Sequence, residues 1–425
     1  MTFSVMRPFS SRRHVLYLVA TFTVIQLLLI PLLGFTPFPD CNGYIALAQQ
    51  STEASGPYPV AGQMGELAFL WNIGAVNMTQ LSLWLFGSVT PLLILYALMK
   101  GATAWMFYLV ANRLAGAKMA LVALVIYLLY PANYGEATSL LSELPFMFFS
   151  MAALYAVMRN HPLMAGILLA AGNWFRPMAL VFVVVLMVFY FVRQERRWRR
   201  IASLVGGYVL MICVIGGINY ARTGRFFYQA ATGWMALMQY SWDHDSDTAP
   251  DRAFFVDGDP NVIPAERQYD VLQKDSVWRS HFGIWLSHNV DEYLAQMPEK
   301  LARTYVSDNT TLCAFLPEKN EQMYQELSME TLWTAFPRLS AVQWLAVVNL
   351  LFYYLLLVGA VIGLVRCVKS KRLDVAVLCG GVILVGTAVL LFFGHGETRF
   401  HIPFMPFIIL LTAWAFHRKA QKNPE

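Results

Sequence analysis

One stretch near the start of the chain decides the fold class: Val15-Leu-Tyr-Leu-Val-Ala-Thr-Phe-Thr-Val-Ile-Gln-Leu-Leu-Leu-Ile-Pro-Leu-Leu-Gly-Phe35. It contains no charged side chain, and about 20 consecutive apolar residues in a helix cross the hydrocarbon core of a bilayer. The stretch follows Arg7, Arg12 and Arg13, and it is longer than the roughly 7–15-residue core of a signal peptide. We therefore expect a retained transmembrane helix whose N-terminus lies in the cytoplasm.

The whole chain has the composition of a membrane protein. Of its 425 residues, 57% are hydrophobic and 13% are charged, whereas soluble domains contain about 25% charged residues. The mean hydropathy is +0.49. This composition excludes a soluble globular protein, an intrinsically disordered chain and a small disulfide-rich fold. The sequence contains no nucleic-acid-binding signature, so we expect no nucleic-acid partner.

Hydropathy predicts an all-α polytopic membrane protein with about ten transmembrane helices. The predicted spans are 15–35, 91–112, 119–133, 143–158, 162–175, 178–193, 201–219, 341–366, 374–393 and 402–416. Basic loops stay in the cytoplasm, so both termini are expected there, in a bacterial inner membrane. The turns predicted to be cytoplasmic contain Arg113, Lys118, Arg159, His161, Arg196, Arg197, Arg199, Arg200, Arg366, Lys369, Lys371, Arg372, Arg418 and Lys419.

Two of the predicted spans, 162–175 and 178–193, are short and are separated by Pro177. Proline removes a backbone hydrogen bond from a helix interior, so either run could be a re-entrant segment. If the two runs formed one span, every later segment would flip and the basic cluster 193–200 would face outward. The positive-inside rule therefore favours two separate spans.

The spans divide the chain into three parts. Residues 1–220 form a predicted transmembrane module that includes an outer loop, 36–90, in which Leu81–Gly87 is apolar enough for an interfacial helix. Residues 221–340 are predicted to be a soluble insert on the outer face. Residues 341–425 supply the last transmembrane helices.

The insert is predicted to contain two helical stretches, Ala265–Trp285 and Val290–Val306, and an acidic loop. The loop lacks the ligand spacing of a calcium-binding loop, which favours a solvated segment. Of the five cysteines, only Cys41 and Cys313 are placed where a disulfide could form. The acidic residues of the loop are Asp243, Asp245, Asp247, Asp251, Asp257 and Asp259.

The unusual polar residues collect at or just beyond the outer ends of the predicted spans. Ionisable groups at membrane depth are costly unless they are paired or hydrated, so they point to a functional site. Both signs of charge occur at this face, which suits chemistry on a charged amphiphile. These residues are Asp40, Tyr44, Lys100, Glu136, Glu143, Arg176, Glu397, Arg399 and His401.

Each of these residues also has a simpler explanation. Asp40 could act as a general base or could form an ordinary turn with Asn42 and Gly43. Arg176 could bind a lipid phosphate or could extend to the headgroups. Lys100 could lie at the outer interface or inside its helix.

The remaining candidates carry similar alternatives. Glu397 and Arg399 could pair only with each other. Glu143 could simply stabilise its helix, because an acidic side chain is favourable at a helix N-terminus, and Ser142 could cap that helix.

Taken in chain order, several motifs resemble those of the GT-C membrane glycosyltransferases, especially bacterial relatives of the protein O-mannosyltransferases and the aminoarabinose transferase. The motifs are Asp40-x-x-x-Tyr44, Tyr108-Leu-Val-Ala-Asn-Arg-Leu-Ala-Gly116, Ser142-Glu-Leu-Pro-Phe-Met-Phe-Phe149, Phe175-Arg-Pro177, Asn219-Tyr-Ala-Arg-Thr-Gly224 and Glu397-Thr-Arg-Phe-His-Ile-Pro403. They cover most of the chain, although each motif alone is short.

The resemblance implies a GT-C-like fold and transfer of a sugar from a polyprenyl-phosphate donor to a hydroxyl acceptor on a glycan, lipid or protein, at the periplasmic or extracellular face. It implies Asp40 and Glu143 as catalytic residues. It also implies Arg176, Arg399 and Lys100 as ligands of the donor phosphate, with Tyr44, Glu136, Glu397 and His401 in supporting positions.

The chain departs from the family pattern in its first loop, where many members have paired acidic residues. Asp40 is followed by Cys41 and Asn42, so no metal ligands are assigned and no cofactor is expected to be required. A phosphate leaving group needs cations to receive its charge, and one carboxylate suffices as the base. Direct displacement of this kind predicts inversion at the anomeric carbon.

A transporter or flippase of a lipid-linked or anionic solute is the main alternative. It would use the outer-face charges as a binding vestibule. Transporters are expected to carry charged or broken helices near the bilayer midplane, whereas most ionisable residues here are predicted at span ends.

Overall fold

A computed structural model describes residues 12–55, 72–193, 196–224, 226–230, 233–234, 237, 279, 282–283, 285–320, 322–394 and 396–416. Within these ranges the chain consists of helices and connecting loops, without a β-strand. The predicted all-α fold class is thus confirmed for the described part of the chain. The acidic run 243–259, most of the predicted helix 265–285 and the basic residues Arg418 and Lys419 lie outside it.

The N-terminal half contains nine helices within the described ranges. A bend of 3₁₀ turns at Pro131–Tyr134 and Glu136–Thr138 follows the fifth. The helices are α1 (Arg12–Leu33), α2 (Pro39–Ser55), α3 (Ile73–Phe86), α4 (Thr90–Ala115), α5 (Ala117–Leu129), α6 (Glu143–Met158), α7 (Pro162–Phe175), α8 (Ala179–Arg193) and α9 (Arg197–Thr223).

The C-terminal half begins with short helices of the insert and ends with long apolar ones. A π-helical segment, Ala376–Gly380, interrupts the helical run from Leu373 to Phe393, and 3₁₀ turns occur at Thr310–Phe315, Phe336–Arg338 and Ile402–Phe404. The helices are α10 (Val290–Ala295), α11 (Met297–Tyr305), α12 (Met323–Glu326), α13 (Met329–Thr334), α14 (Ala341–Lys369), α15 (Leu373–Val375), α16 (Gly381–Phe393) and α17 (Met405–Ala415).

Five helical segments are long and apolar enough to cross a membrane, as expected for an integral membrane protein. A sixth is obtained if α5 and residues 131–138, which meet at a bend of 68°, count as one span. The other apolar helices are shorter. All ten predicted apolar runs contain helix, but the count of ten spans stays a prediction. The five segments are Arg12–Leu33, Thr90–Ala115, Arg197–Arg222, Ala341–Lys369 and Leu373–Phe393.

The basic turns that were predicted to be cytoplasmic meet at one end of the helical bundle. The Arg372 guanidinium donates to the Leu114 carbonyl at the end of α4 over 2.5 Å. Asp374 lies 3.4 Å from Arg193 at the end of α8. Arg366, near the end of α14, donates to the carbonyl of Ala415 at the end of α17. The C-terminal ends of α4, α8, α14 and α17 thus lie at a common end of the bundle.

The described part of the insert packs on the bundle instead of standing apart from it. Tyr293 in α10 donates to the carbonyl of Phe392, and the Tyr305 hydroxyl lies 2.6 Å from that of Thr387. The helix predicted over Val290–Val306 is divided at Gln296 into α10 and α11. The predicted interfacial segment 81–87 forms the end of α3 and presents exposed apolar side chains.

Candidate functional site

The end of the bundle opposite the basic turns contains a chain of ion pairs centred on Arg399. This arginine lies in the loop between α16 and α17. Its Nη1 is 2.9 Å from Oδ2 of Asp40, in the first turn of α2. Its Nε is 2.7 Å from Oε2 of Glu397 and 3.9 Å from Oε1 of Glu143, the first residue of α6. Glu397 and Arg399 do pair, but Arg399 does not pair with Glu397 alone.

Arg176 extends this chain of ion pairs. Its Nη1 is 2.8 Å from the same Oε1 of Glu143. The guanidinium carbon lies 4.8 Å from the centre of the Phe400 ring, within range of a cation–π interaction. Arg176 follows α7 directly, at its C-terminal end, and its side chain is buried and paired instead of extended into solvent. The structure therefore brings together Asp40, Glu143, Arg176, Glu397 and Arg399.

The five side chains contain three carboxylates and two guanidinium groups, a net charge of −1. Burial by itself would lower the pKa of the Arg399 guanidinium, but Asp40, Glu397 and Glu143 together raise that pKa well above its ordinary value. Arg399 is therefore charged at any physiological pH. We name these five residues the outer cluster.

A hydrogen-bonded group of neutral side chains supports the outer cluster. The Asn72 amide donates to the Tyr44 hydroxyl over 3.0 Å and to Ser142 Oγ over 2.9 Å. Ser142 in turn donates to Glu143 over 3.3 Å. The predicted capping role of Ser142 is wrong, because its side chain makes no capping hydrogen bond to α6. Burial, with a smaller contribution from Asp40 and Glu143, raises the pKa of the Tyr44 hydroxyl.

A cavity of about 280 Å³ opens beside the outer cluster. Two of its walls come from the insert and from the loop before α17. Arg176 and Glu143 are not among the residues that face it. The lining residues are Pro39, Asp40, Thr310, Tyr324, Glu397, Thr398 and Arg399.

Lys100 and Glu136 form a separate pair. Lys100 Nζ is 2.5 Å from Glu136 Oε2 and 2.8 Å from Asn133 Oδ1. Lys100 is fully buried in the middle of α4. Of the two positions considered for it, the structure shows the one inside the helix, and the placement of Lys100 at the outer end of its span is wrong. Neither residue shares an ion pair with the arginines of the outer cluster among the described contacts.

His401 is also separate from the cavity. Its Nδ1 lies 2.7 Å from the carbonyl oxygen of Thr304, and its Nε2 lies 3.3 Å from Oδ1 of Asp308. The other carboxylate oxygen of Asp308 accepts a hydrogen bond from Tyr130. Because His401 is fully buried, these contacts fasten the Arg399 loop to the insert.

Two glycines allow the insert to approach the bundle closely. Gly396 has a φ of +75°, and a Cβ there would lie 2.9 Å from the carbonyl oxygen of Lys300. A Cβ on Gly135 would lie 1.8 Å from the carbonyl oxygen of Thr311. Both contacts exclude a side chain, so these glycines set the position of the insert against the bundle.

The sequence did not point to Thr310, Tyr324 or Asp308, and it marked Thr398 only as an unassigned position of the motif 397–403. Thr310, Tyr324 and Thr398 line the cavity, and Asp308 holds His401. Three of the four lie in the insert, where neither hydropathy nor helical periodicity marks a functional position. Their only available signal was the length of an insert placed beside the predicted site.

The cysteine and metal expectations concern this end of the molecule as well. Cys41 and Cys313 are both buried free thiols, so the disulfide considered for them is absent, and burial raises the pKa of the Cys313 thiol to about 12. Among the described residues, His, Cys, Asp and Glu side chains form no group of three or more that could hold a metal ion.

Comparisons with known proteins give no match. No protein-family model fits the sequence, and no curated protein or solved structure is significantly similar to the chain.

Proposed function

We propose that this protein is a GT-C-type glycosyltransferase of the membrane, which moves a sugar from a polyprenyl-phosphate donor to a hydroxyl acceptor. One observation carries the proposal: a largely enclosed arginine, Arg399, is shared among carboxylates at the wall of a cavity. That arrangement offers a cation for a phosphate and a carboxylate for a hydroxyl in the same small space.

The reaction requires one base and one cationic group. The acceptor oxygen forms a bond to the anomeric carbon while its proton passes to Asp40. The bond between that carbon and the phosphate oxygen breaks, and its electron pair stays on the phosphate, where Arg399 stabilises the added negative charge. Attack opposite the leaving group inverts the anomeric configuration.

The charge of the outer cluster adds a condition to this scheme. Arg399 is already bound to Asp40 and Glu397, and the outer cluster carries a net charge of −1. A phosphodiester can therefore bind Arg399 only if a carboxylate leaves it or takes up a proton. We assign that exchange to Asp40, since release from Arg399 frees the Asp40 oxygen that now contacts the guanidinium to accept the proton of the acceptor hydroxyl.

The other predicted site residues take indirect roles in this proposal. Arg176 holds Glu143 over 2.8 Å and does not face the cavity. Glu143 in turn lies 3.9 Å from Arg399, so the Arg176–Glu143 pair orients the phosphate-binding side chain. Lys100 remains with Glu136 inside the bundle.

The distribution of charge supports a proposal for the orientation in the membrane. The basic residues meet at one end of the bundle and the outer cluster lies at the other. Under the positive-inside rule, we propose that the outer cluster faces the periplasm or the exterior and that both termini are cytoplasmic. The proposal of a bacterial inner membrane rests on the resemblance to bacterial GT-C enzymes.

Replacing Asp40 with Asn tests the proposal directly. The amide keeps the shape of the side chain but cannot accept a proton, so transfer from a polyprenyl-phosphate sugar in membranes should fall at least a hundredfold. Protein level and the melting temperature should stay close to wild type. Radiolabelled sugar transfer in isolated membranes gives the rate.

Asp374→Asn is a matched control, because Asp374 is also a carboxylate paired with arginines but lies at the basic end of the bundle. It should leave transfer unchanged. Full transfer by Asp40→Asn would refute the assignment of Asp40 as the base.

One structural feature favours the transporter alternative. Lys100 and Glu136 form a buried ion pair inside the bundle, next to the 68° break between α5 and residues 131–138. Charged residues beside a broken helix are typical of the binding sites of secondary transporters. Purified protein in liposomes separates the two functions: a transporter moves a labelled lipid-linked sugar across the bilayer unchanged, whereas a transferase attaches its sugar to the acceptor.

A further inference from the structure

The cavity beside the outer cluster presents hydrogen-bond acceptors to an incoming ligand. The side chains of Asp40 and Glu397 keep 28% and 36% of their surface exposed, whereas that of Arg399 keeps 11%. A group that enters the cavity therefore meets two carboxylates more readily than the guanidinium between them. Together the three charged lining residues have a net charge of −1. An anion binds here only after a carboxylate has left Arg399, whereas a group with several hydroxyl donors can bind the carboxylates as they stand.

An aromatic ring forms another part of the same cavity. Tyr324 lies in α12, and its ring centre is 5.8 Å from that of Phe38, which precedes Pro39 on the cavity wall. Tyr324 is exposed even though it packs on Phe38. An exposed ring held in place by a second ring offers a flat apolar surface for the C–H face of a ligand.

Two hydroxyl groups link the walls of the cavity. Thr310 Oγ1 of the insert lies 2.8 Å from Thr398 Oγ1 of the Arg399 loop. Both residues line the cavity, and hydroxyl groups donate and accept hydrogen bonds. This contact places Tyr324 and the carboxylates around one shared space, because it joins the insert to the loop that carries Glu397.

We propose that this cavity is a subsite for one uncharged, hydroxyl-rich ring such as a monosaccharide unit. Tyr324 is the residue on which the ring stacks, and Glu397 and Asp40 accept hydrogen bonds from its hydroxyl groups. The inference deepens the proposed function and rests on it for the identity of the ring as a substrate. A volume of about 280 Å³ lies just below the usual range of ligand pockets, roughly 300–1,000 Å³, which fits a single ring and not an oligosaccharide.

Binding of methyl glycosides tests the subsite without any transfer reaction. Saturation-transfer NMR on the full-length protein in nanodiscs measures a panel of methyl hexosides and methyl pentosides. At least one should bind, with the strongest signals from the protons of one ring face. Tyr324→Leu removes the aromatic surface and should weaken this binding about tenfold, whereas Tyr324→Phe keeps the ring and should stay within twofold of wild type.

Trp333→Leu provides the matched control. Trp333 is an exposed aromatic residue of the insert, in α13, and it does not line the cavity. Its replacement should leave the binding unchanged. A methyl glucuronide should bind at least tenfold more weakly than the methyl glucoside, because its carboxylate enters a cavity of net negative charge.

Competition identifies whether the ring belongs to the donor or to the acceptor. A decaprenyl-phosphate sugar displaces the methyl glycoside if the subsite holds the donor ring and leaves it bound if the subsite holds the acceptor ring. Either result supports the proposal. Absence of binding by every glycoside of the panel, or binding that Tyr324→Leu does not change, overturns it.

These outcomes are separable from the failure of the proposed function. If Asp40→Asn retains transfer while glycoside binding depends on Tyr324, the subsite stands and the catalytic assignment fails. If Asp40→Asn abolishes transfer while Tyr324→Leu binds every glycoside normally, the catalytic assignment stands and the subsite fails.

Discussion

Lys100 is bound to one carboxylate inside the bundle, whereas Arg399 divides its guanidinium among three carboxylates at the outer end. The inner pair is fully enclosed and is completed by Asn133. The outer cluster borders a cavity, and its carboxylates remain partly exposed. The same types of residue thus suit different roles. A closed ion pair stabilises the fold, whereas a cation shared among several carboxylates can exchange one of them for a ligand.

Breaking the inner pair should have the largest effect on stability. Lys100→Met leaves Glu136 buried without its cation, which should lower the free energy of unfolding by about 3–5 kcal/mol. The double variant Lys100→Met/Glu136→Leu should recover most of this loss, because no charge is left unpaired. Thermal unfolding in detergent measures both. A double variant as unstable as the single one would show that the pair does not act as a closed unit.

Distorting the outer cluster should destabilise the protein less than breaking the inner pair does, but it should lower the transfer activity more. Gly396→Ala places a side chain at a φ of +75° and against the carbonyl of Lys300, which should cost about 2 kcal/mol. Glu397 is the next residue and Arg399 lies in the same loop, so the shift of the backbone should displace both side chains. Sugar transfer should therefore fall at least tenfold. Unfolding and transfer rates are measured on the same preparations.

Gly87→Ala is the control for that variant. Gly87 has a φ of +65°, and a Cβ added there would meet no atom within 4 Å. It lies at the end of α3, away from the cavity. This variant should show a stability cost of about 1 kcal/mol from the backbone alone and normal transfer. Equal loss of transfer in both variants would contradict a special role of the Arg399 loop.

The smallest effect is expected from removing one of the carboxylates that compete for Arg399. Unlike the two changes above, this change should strengthen a property, the affinity for the donor phosphate. Glu397→Gln brings the net charge of the outer cluster from −1 to zero and releases part of the guanidinium. The affinity for decaprenyl phosphate, measured by equilibrium binding in nanodiscs, should rise about fivefold, or about 1 kcal/mol. Glu330→Gln, at an exposed position of the insert, should bind as wild type does. Weaker binding by Glu397→Gln would argue against exchange at Arg399.

The placement of Asp40, Glu143, Arg176 and Arg399 at one end of the bundle could be predicted from the sequence. Each lies next to an apolar run, and the basic turns assign all four to the same end of the bundle. Hydropathy and charge are sufficient to assign side chains to one end of the bundle, but they do not tell which of them meet. Lys100, Glu136 and His401 were assigned to the same end and make separate contacts. The exact pairing of the carboxylates with the two arginines required the structure.

The depth of Lys100 inside the bundle and the packing of the insert against the bundle could not be predicted in this way. Lys100 lies inside an apolar helix whose start the sequence leaves ambiguous, since Thr90 and Pro91 follow another apolar segment. Tyr324 and Asp308 belong to an insert whose short helices lack a long periodic pattern. Their positions depend on close contacts such as that of Gly135 with Thr311, which only the folded chain displays.

The Asp40–Arg399 contact joins residues that lie far apart in the sequence, so Asp40 is synthesised long before Arg399. While the ribosome still holds the C-terminal part, Asp40 and Glu143 have already emerged and must stay hydrated. Arg176 can pair with Glu143 before the C-terminal part emerges, but Asp40 gains its cation only when the hairpin of α16 and α17 is delivered. A nascent chain that stops before the loop between these two helices therefore leaves Asp40 without its arginine.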